Sequence, residues 1–549
     1  MKALKNFSGR KGPLVLVVLD GVAIGEEDNG NAVHLARTPV LDSLKKESVY
    51  CELQAHGTAV GLPSDKDMGN SEVGHNAIGA GQIYDQGAKL VSEAIDSQQM
   101  FMGSTWQELT QNCTDKNTCL HFIGLLSDGN VHSHIKHLLA MLTHASTEGV
   151  VRVRVHCLLD GRDVSEISAI KYIDMLEEHL QQINSQQNCD YKIASGGGRM
   201  HITMDRYGAD WKMVERGWHA HVLGKGRAFS SAKEAITTFR QENSEITDQF
   251  LPSFVVHDDK GAVGEIKDDD SVVFFNFRGD RALEITQAFT MEFFDKFDRE
   301  RYPKVKFAGM MQYDGDSKTP EKFLVEPPLI RNTLGEFLAT NGFSQFAVSE
   351  TQKYGHVTYF WNGNRFDKFS ETLETYQEIP SDTVSFEQRP WMKAAEITDA
   401  AIDNIEKYQT KFTRLNYPNG DMIGHTGDIN AATIAVSAVD LCLGRLLKFI
   451  AQKDGVAIVL ADHGNADEMY EKDGQGNFIR NEQTQKLKNK TSHTLNPVPF
   501  AIFDPHYNNE YKINNSLAKK GLSNVAATVV NLLGYEPPSE WQPSLIVFE

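Results

Sequence analysis

Asp421 and His425, in DMIGH, put a carboxylate and an imidazole four residues apart. On a helix the two face the same way, and a tight loop brings them together equally well. Taken alone, such a pair is common on solvated helix faces. Asp462-His463-Gly464 closely follows the apolar run GVAIVL, where neither side chain would be buried without a partner. His493, in TSHT, either caps a turn, faces solvent or joins them. With Asp20, directly after LVLVVL, these residues supply three carboxylates and three imidazoles, enough for two divalent ions with open positions. Mixed Asp and His ligands suit Mn²⁺, Zn²⁺ or Co²⁺ better than Ca²⁺. Two such ions roughly 3.5 to 4 Å apart stabilise both the attacking and the leaving oxygen of a phosphoryl displacement. The competing reading is six unrelated polar residues, each satisfied where it stands.

A nucleophile belongs where a metal and a helix N-terminus converge. In MGNSEVGH, Gly69 permits a sharp turn, Asn70 can cap, and Ser71 opens a predicted helix whose first N–H groups favour an anion. Metal coordination would depress the hydroxyl pKa; otherwise Ser71 is itself a helix cap, and the residue types leave both readings open. A second set of residues is rich in arginine: Arg162 in DGRD, Arg199 after a glycine run, Arg206 in MDR, and Arg278 with Arg281 in FRGDR. Guanidinium pairs suit a small anion bearing carboxylate or phosphate, although any one of these arginines could be a surface ion-pair partner. Arg278 and Arg281 would share a face if a helix begins at the strand end. Asp163 beside Arg162 is a candidate general base, and His132 in DGNVHSH a candidate donor to phosphate or a satisfied loop histidine.

These groups follow short buried runs. LVLVVL (14–19), HFIGLL (121–126), VRVRVHCLL (151–159), SVVFFN (271–276), VKFAGM (305–310) and GVAIVL (455–460) alternate with amphipathic stretches such as 134–148 and 281–294. That alternation predicts α/β architecture, with parallel sheets covered by helices and chemistry at the carboxyl ends of the strands. Asp and His sit at strand ends near both termini of the chain and Arg sits in the middle, so one domain is split by another. A chain of 549 residues is too long for one core. The net charge of −19 argues against nucleic acid or anionic membrane as a partner, so an anionic substrate must be caught by a local arginine cluster. Six scattered cysteines without a C-x-x-C pair suit a reducing cytoplasm, and no run approaches the length of a membrane span.

At these residues the chain resembles the cofactor-independent phosphoglycerate mutases of the alkaline phosphatase superfamily. The resemblance runs through VVLDG, GNSEVGHNAIGAG, LLSDGNVHSH, DGRD, MDRYG, FFNFRGDRA, TQKYGHVTYF, DMIGHTG, LADHGNAD and TSHT. It implies interconversion of 3-phosphoglycerate and 2-phosphoglycerate through a phosphoserine at Ser71, without bisphosphoglycerate. By similarity, Asp421, His425 and His493 hold one divalent ion, and Asp20, Asp462, His463 and the Ser71 oxygen hold the other. Mn²⁺ is the expected ion, with Co²⁺ or Mg²⁺ as alternatives. His132, Arg162, Asp163, Arg199, Arg206, Arg278, Arg281 and Lys353 are implied substrate contacts, with Asp163 as acid/base. The resemblance further implies two doubly wound domains. A metal-bearing, phosphatase-like domain (1–86 and 321–549) is split by an inserted transferase domain (87–320) in a monomeric cytoplasmic enzyme.

Overall fold

A computed structural model describes residues 1–549 apart from 63, 187, 207–208, 315–317, 327–329, 482–484 and 549. The chain divides into two compact units, Met1–Gln86 with Leu329–Glu549, and Gly87–Pro328. The return to the first unit thus falls at 329 rather than at the expected 321.

The sheet of the first unit runs in the order Glu374–Ile379, Gln345–Glu350, Phe412–Tyr417, Leu14–Leu19, Val456–Leu460, Val498–Phe503, Val49–Leu53. Its central strand, LVLVVL, is buried at every position and pairs in parallel with Phe412–Tyr417 on one side and Val456–Leu460 on the other. An apolar run without alternation is what a strand covered on both faces requires. The last two strands depart from the all-parallel expectation, since Val498–Phe503 pairs antiparallel with both of its neighbours.

The sheet of the second unit runs Lys306–Gly309, Ser271–Phe274, Cys119–Leu126, Arg152–Leu159, Asp190–Gly198, Phe254–Asp258, Arg227–Phe229. It too is parallel except where Phe254–Asp258 meets Asp190–Gly198 and, off this order, the two-residue strand Gly261–Ala262. The predicted helix over 134–148 is Ile135–Thr147. The one predicted over 281–294 is shorter, Leu283–Thr290, so Arg278 and Arg281 lie in the segment before it and share no helix face. Each unit has its own buried apolar core. Among the described residues no helix is long and apolar enough to cross a membrane.

Candidate active site

Strand ends of the first unit gather one set of side chains. Asp20 ends Leu14–Leu19, Asp462 and His463 follow Val456–Leu460, and Asp421 lies in the short helix Asn419–Gly424 after Phe412–Tyr417. Gly21 lets these loops close on one another. Its φ is +74°, and a Cβ there would sit 2.7 Å from the Asp421 Cα. The Asp421 amide donates to the Asp20 carbonyl, while the Asn465 and Ala466 amides donate to that of Gly21. A side chain at position 21 would push the strand ends apart.

Ser71 is the first residue of the helix Ser71–Ala80, and the cap is Asn70, whose side chain accepts from the Val73 amide. That answers the alternative left open by the residue types: the serine hydroxyl is not spent on the helix end. Its Oγ lies 2.9 Å from His463 Nε2 and 3.3 Å from Asp20 Oδ1, and Lys353 Nζ donates to it. Lys353, an implied substrate contact in the metal-bearing segment, stands here, 2.8 Å from Asp20 Oδ1 and 2.8 Å from Asp421 Oδ2. Its ammonium is the counter-charge of two buried carboxylates. His425 Nε2 is 3.0 Å and His493 Nε2 3.1 Å from Asp421 Oδ1. The helical spacing of Asp421 and His425 therefore does bring their polar atoms together.

The donor set fits divalent ions on its own chemistry. His425 Nδ1 donates to the Thr491 carbonyl at 2.6 Å and His493 Nδ1 to that of Gly69 at 2.7 Å. Imidazoles so held turn Nε2 inward, a proton donor to Asp421 when the ring is charged and a lone-pair donor to a cation when it is neutral, and these two nitrogens are 3.1 Å apart beside a carboxylate oxygen. Three electron-rich atoms converging on one point call for a cation between them. Both oxygens of the fully buried Asp462 lack a hydrogen bond, with His75 Nδ1 at 3.3 Å as an ion-pair neighbour. Ligand atoms of Asp20, Asp462 and His463, and those of Asp421, His463 and His493, form two groups each within 4.8 Å. Burial pulls the His463 imidazole down, but Asp462, Asp20 and Asp421 push it up to about 9. Burial would raise Asp421, yet His425, Lys353 and His493 hold it well below the usual carboxylate range. The same field that charges an imidazole would hold a metal ion.

Neighbours that the sequence reading missed orient these groups. Asn416 Nδ2 donates to Asp20 Oδ2 at 2.7 Å, and Asn465 Nδ2 to Asp421 Oδ1 at 3.1 Å. His75, on the Ser71 helix, donates to the Ser71 carbonyl at 2.8 Å. Two of the three were in view: His75 lies in the GNSEVGH motif and Asn465 in LADHGNAD. Asn416 in a buried strand gave no signal beyond being polar there.

The second unit holds the arginine set, with Arg162, Arg199, Arg206, Arg278, Arg281 and His132 all buried. Arg199 Nη1 donates to Asp160 Oδ1 at 2.8 Å and also to Asp163 Oδ2. Arg278 Nε donates to Asp280 Oδ1 at 3.0 Å, and Arg206 Nη1 lies 3.5 Å from Asp280 Oδ2. Arg281 Nη1 donates to the Met204 carbonyl at 2.5 Å. Asp160 and Asp280, the organising carboxylates, sat unremarked inside the DGRD and FRGDR motifs. Burial, then Arg206, Arg199 and Arg162, pull the Arg281 guanidinium well below its ordinary value. Burial and four of these arginines keep His132 neutral. Among the described contacts, Asp160, Asp163 and Asp280 face guanidinium groups of a buried set of five arginines, so positive charge predominates in the site. A buried charge of that sign suits a small anion bearing carboxylate or phosphate.

Comparison with known proteins agrees with this chemistry. The model of the metalloenzyme superfamily matches residues 12–537. A probable 2,3-bisphosphoglycerate-independent phosphoglycerate mutase of Leptospira interrogans is 52% identical over 548 residues, 100% of this chain and 99% of that protein. The corresponding mutase of Trypanosoma brucei brucei is 51% identical over 548 residues, again 100% and 99% of the two chains. The crystal structure of Leishmania mexicana phosphoglycerate mutase at low cobalt concentration superposes with a TM-score of 0.98 at 48% identity, covering 100% of both chains. The chain belongs to the metalloenzyme superfamily and, within it, to the 2,3-bisphosphoglycerate-independent phosphoglycerate mutases.

Proposed function

We propose that this chain interconverts 3-phosphoglycerate and 2-phosphoglycerate through a phosphoserine at Ser71, with two divalent ions, Mn²⁺ first among them, and without bisphosphoglycerate. The observation that carries the reading is Ser71 Oγ at a helix N-terminus, freed from capping by Asn70 and held by His463, Asp20 and Lys353. In this reading Asp421, His425 and His493 hold one ion, and Asp20, Asp462 and His463 hold the other beside Ser71. When bound, the ions lower the pKa of the serine hydroxyl and offset the charge of the phosphoryl oxygens.

Ser71 Oγ forms a bond to phosphorus as the bond from phosphorus to the substrate oxygen breaks. Lys353 stabilises negative charge on both Ser71 and the phosphoryl group, and the N–H groups of the first helical turn favour the same anion. Asp163 gives a proton to the departing glycerate oxygen and takes one from the other hydroxyl before the phosphoryl group returns. Arg162, Arg199, Arg206, Arg278 and Arg281, with neutral His132 as donor, hold the carboxylate and phosphate of the substrate. The first unit is thus the metal-bearing phosphatase-like domain and the second the phosphoglycerate-binding transferase domain. The six free cysteines support a reducing cytoplasm, and the enzyme acts as a monomer in this reading.

The test is an enolase-coupled assay on 3-phosphoglycerate without added bisphosphoglycerate, after chelation and again after Mn²⁺ or Co²⁺. Metal-restored 2-phosphoglycerate supports the reading, whereas release of inorganic phosphate makes the chain a phosphatase. Ser71→Ala abolishes turnover and keeps part of the metal binding; activity above a few percent of wild type would remove the serine from its role.

A further inference from the structure

The second unit contains a line of buried polar side chains that the reaction does not use. His121, His156 and Ser195 come from three adjacent strands, Cys119–Leu126, Arg152–Leu159 and Asp190–Gly198. The register between the last two shifts just before His156, which sets it opposite Ser195. Asp270 Oδ2 is 3.2 Å from His121 Nε2, and His121 Nδ1 is 3.0 Å from His156 Nε2. His156 Nδ1 is 2.7 Å from Ser195 Oγ, which is 2.8 Å from His221 Nδ1. The line ends at Thr203 Oγ1, 3.0 Å from His221 Nε2. The three imidazoles and Thr203 are fully buried.

Chemistry sets the direction of every bond. The Asp270 carboxylate also accepts from the amides of Cys119 and Lys267, so it only accepts, and His121 Nε2–H donates to it. A neutral His121 then offers its Nδ1 lone pair to His156 Nε2–H, and His156 Nδ1 accepts from the Ser195 hydroxyl. Ser195 Oγ accepts from His221 Nδ1–H, leaving His221 Nε2 to accept from the Thr203 hydroxyl. Five bonds use five protons, with no charge on any imidazole. Arg154, close to His121 and His156, opposes a charged alternative, and burial draws all three imidazoles down.

The far end is where this order matters. Thr203 has a φ of +67°, an outlier for a β-branched residue, so its surroundings must hold it there. One helix, Trp211–His221, supplies the hold at successive turns. The Met213 carbonyl accepts from the Thr203 amide, and His221 accepts from its hydroxyl. Gly217 leaves the room between them, since a Cβ there would lie 2.0 Å from Thr203 Oγ1. Thr203 lies between Arg199 and Arg206 in sequence, and its neighbour Met204 offers the carbonyl that holds Arg281. We propose that the line from Asp270 to Thr203 is a proton-ordered wire that fixes the 199–206 loop, making His221 and Thr203 positioning residues for the arginine site. The proposal rests on the reading of that site as the substrate anchor.

Two measurements test it. In long-range ¹H–¹⁵N spectra of histidine-labelled protein, His121 and His156 appear as Nε2–H tautomers and His221 as Nδ1–H. A proton on His156 Nδ1 or His221 Nε2, the pattern of a reversed and charged wire, overturns the assignment. Thr203→Val keeps the branched shape and removes the terminal donor, and is expected to raise KM for 3-phosphoglycerate about tenfold with kcat changed less than twofold. Thr203→Ser restores wild-type KM. Unchanged KM in Thr203→Val reduces the wire to a structural feature and refutes the positioning role. Should Thr203→Val fail to fold, Gly217→Ala, which displaces Thr203 and leaves the imidazoles alone, is expected to show the same KM rise; an unaltered KM there refutes it equally. If the wild-type chain does not turn over 3-phosphoglycerate, the functional reading fails by itself. The tautomers, with sulfate affinity of Thr203→Val against wild type, then decide the wire.

Discussion

Asp280→Asn separates the arginine site's electrostatics from its catalysis. Asp280 is buried, accepts from Arg278 Nε at 3.0 Å, and lies 3.5 Å from Arg206 Nη1. At an effective dielectric of about 20, each attraction is worth about 5 kcal/mol before desolvation is counted. Removing one partner of a buried ion pair leaves a net loss of about 3 to 5 kcal/mol, and an isosteric amide that still accepts a hydrogen bond belongs near 3. For a unit of this size that is a fall of about 6 to 12 °C in Tm. The substitution adds one positive charge to the net charge of the site, so the variant should be rescued by an anion more strongly than wild type. Sulfate at a hundred times its Kd contributes about 2.7 kcal/mol, enough to restore most of the loss. Thermal unfolding by calorimetry, with and without sulfate, reads both quantities. A variant as stable as wild type, or one that sulfate stabilises no more than wild type, would refute the charge argument.

Burial pushes the Glu350 carboxyl, whose Oε2 accepts from the Lys393 amide at 3.1 Å, from an ordinary 4.5 to about 7. A folded-state pKa raised in this way stabilises fully below about pH 4.5, and the contribution is lost as pH rises through 7. Glu350→Gln should therefore gain about 3 kcal/mol on wild type between pH 4.5 and 8, and a stability difference independent of pH in urea titrations would discard this account. His425→Ala removes one of the inward-facing imidazoles; metal analysis of the loaded protein should find about one ion per chain in place of two, and two retained ions would exclude His425 as a ligand. Lys353→Met removes the ammonium that competes for Asp20 and Asp421, so Mn²⁺ affinity should rise about tenfold while turnover falls by more than that. Weaker Mn²⁺ binding in that variant would contradict the competition.

Much of the candidate site was legible because its residues sit beside strong local signals. Asp20, Asp462 and His463 follow runs too apolar to be anything but buried, and a charged residue there has to have a partner. Ser71 stood out because a glycine, a capping residue and a helix start precede it in order. Strand direction was not legible in the same way. Val498–Phe503 and Val49–Leu53 are short, and an apolar run reads alike in either orientation; orientation is decided by the connection. The chain passes from Val456–Leu460 to Val498–Phe503 without a described helix between, so nothing carried it back to the start of the sheet for parallel pairing.

The harder residues to foresee are those whose role is to face other side chains rather than substrate or metal. Asp280 is one letter in FRGDR, and nothing in its spacing distinguishes a substrate's rival for the arginines from a turn residue. Lys353 followed a strand end as the arginines did, and only the fold places it against Asp20 and Asp421. The three histidines of the wire, His121, His156 and His221, lie in two strands and a helix, from 35 to 100 residues apart in sequence, so no local pattern joins them. Yet two of them were already anomalous: an imidazole at the head of HFIGLL or inside VRVRVHCLL is a buried polar group, and buried polar groups require partners. Had each been asked for its partner, the two would have been expected to find one another or a carboxylate. Sequence reading by proximity finds what binds from outside; reading by unmet hydrogen-bonding demand finds what holds the binding site in shape.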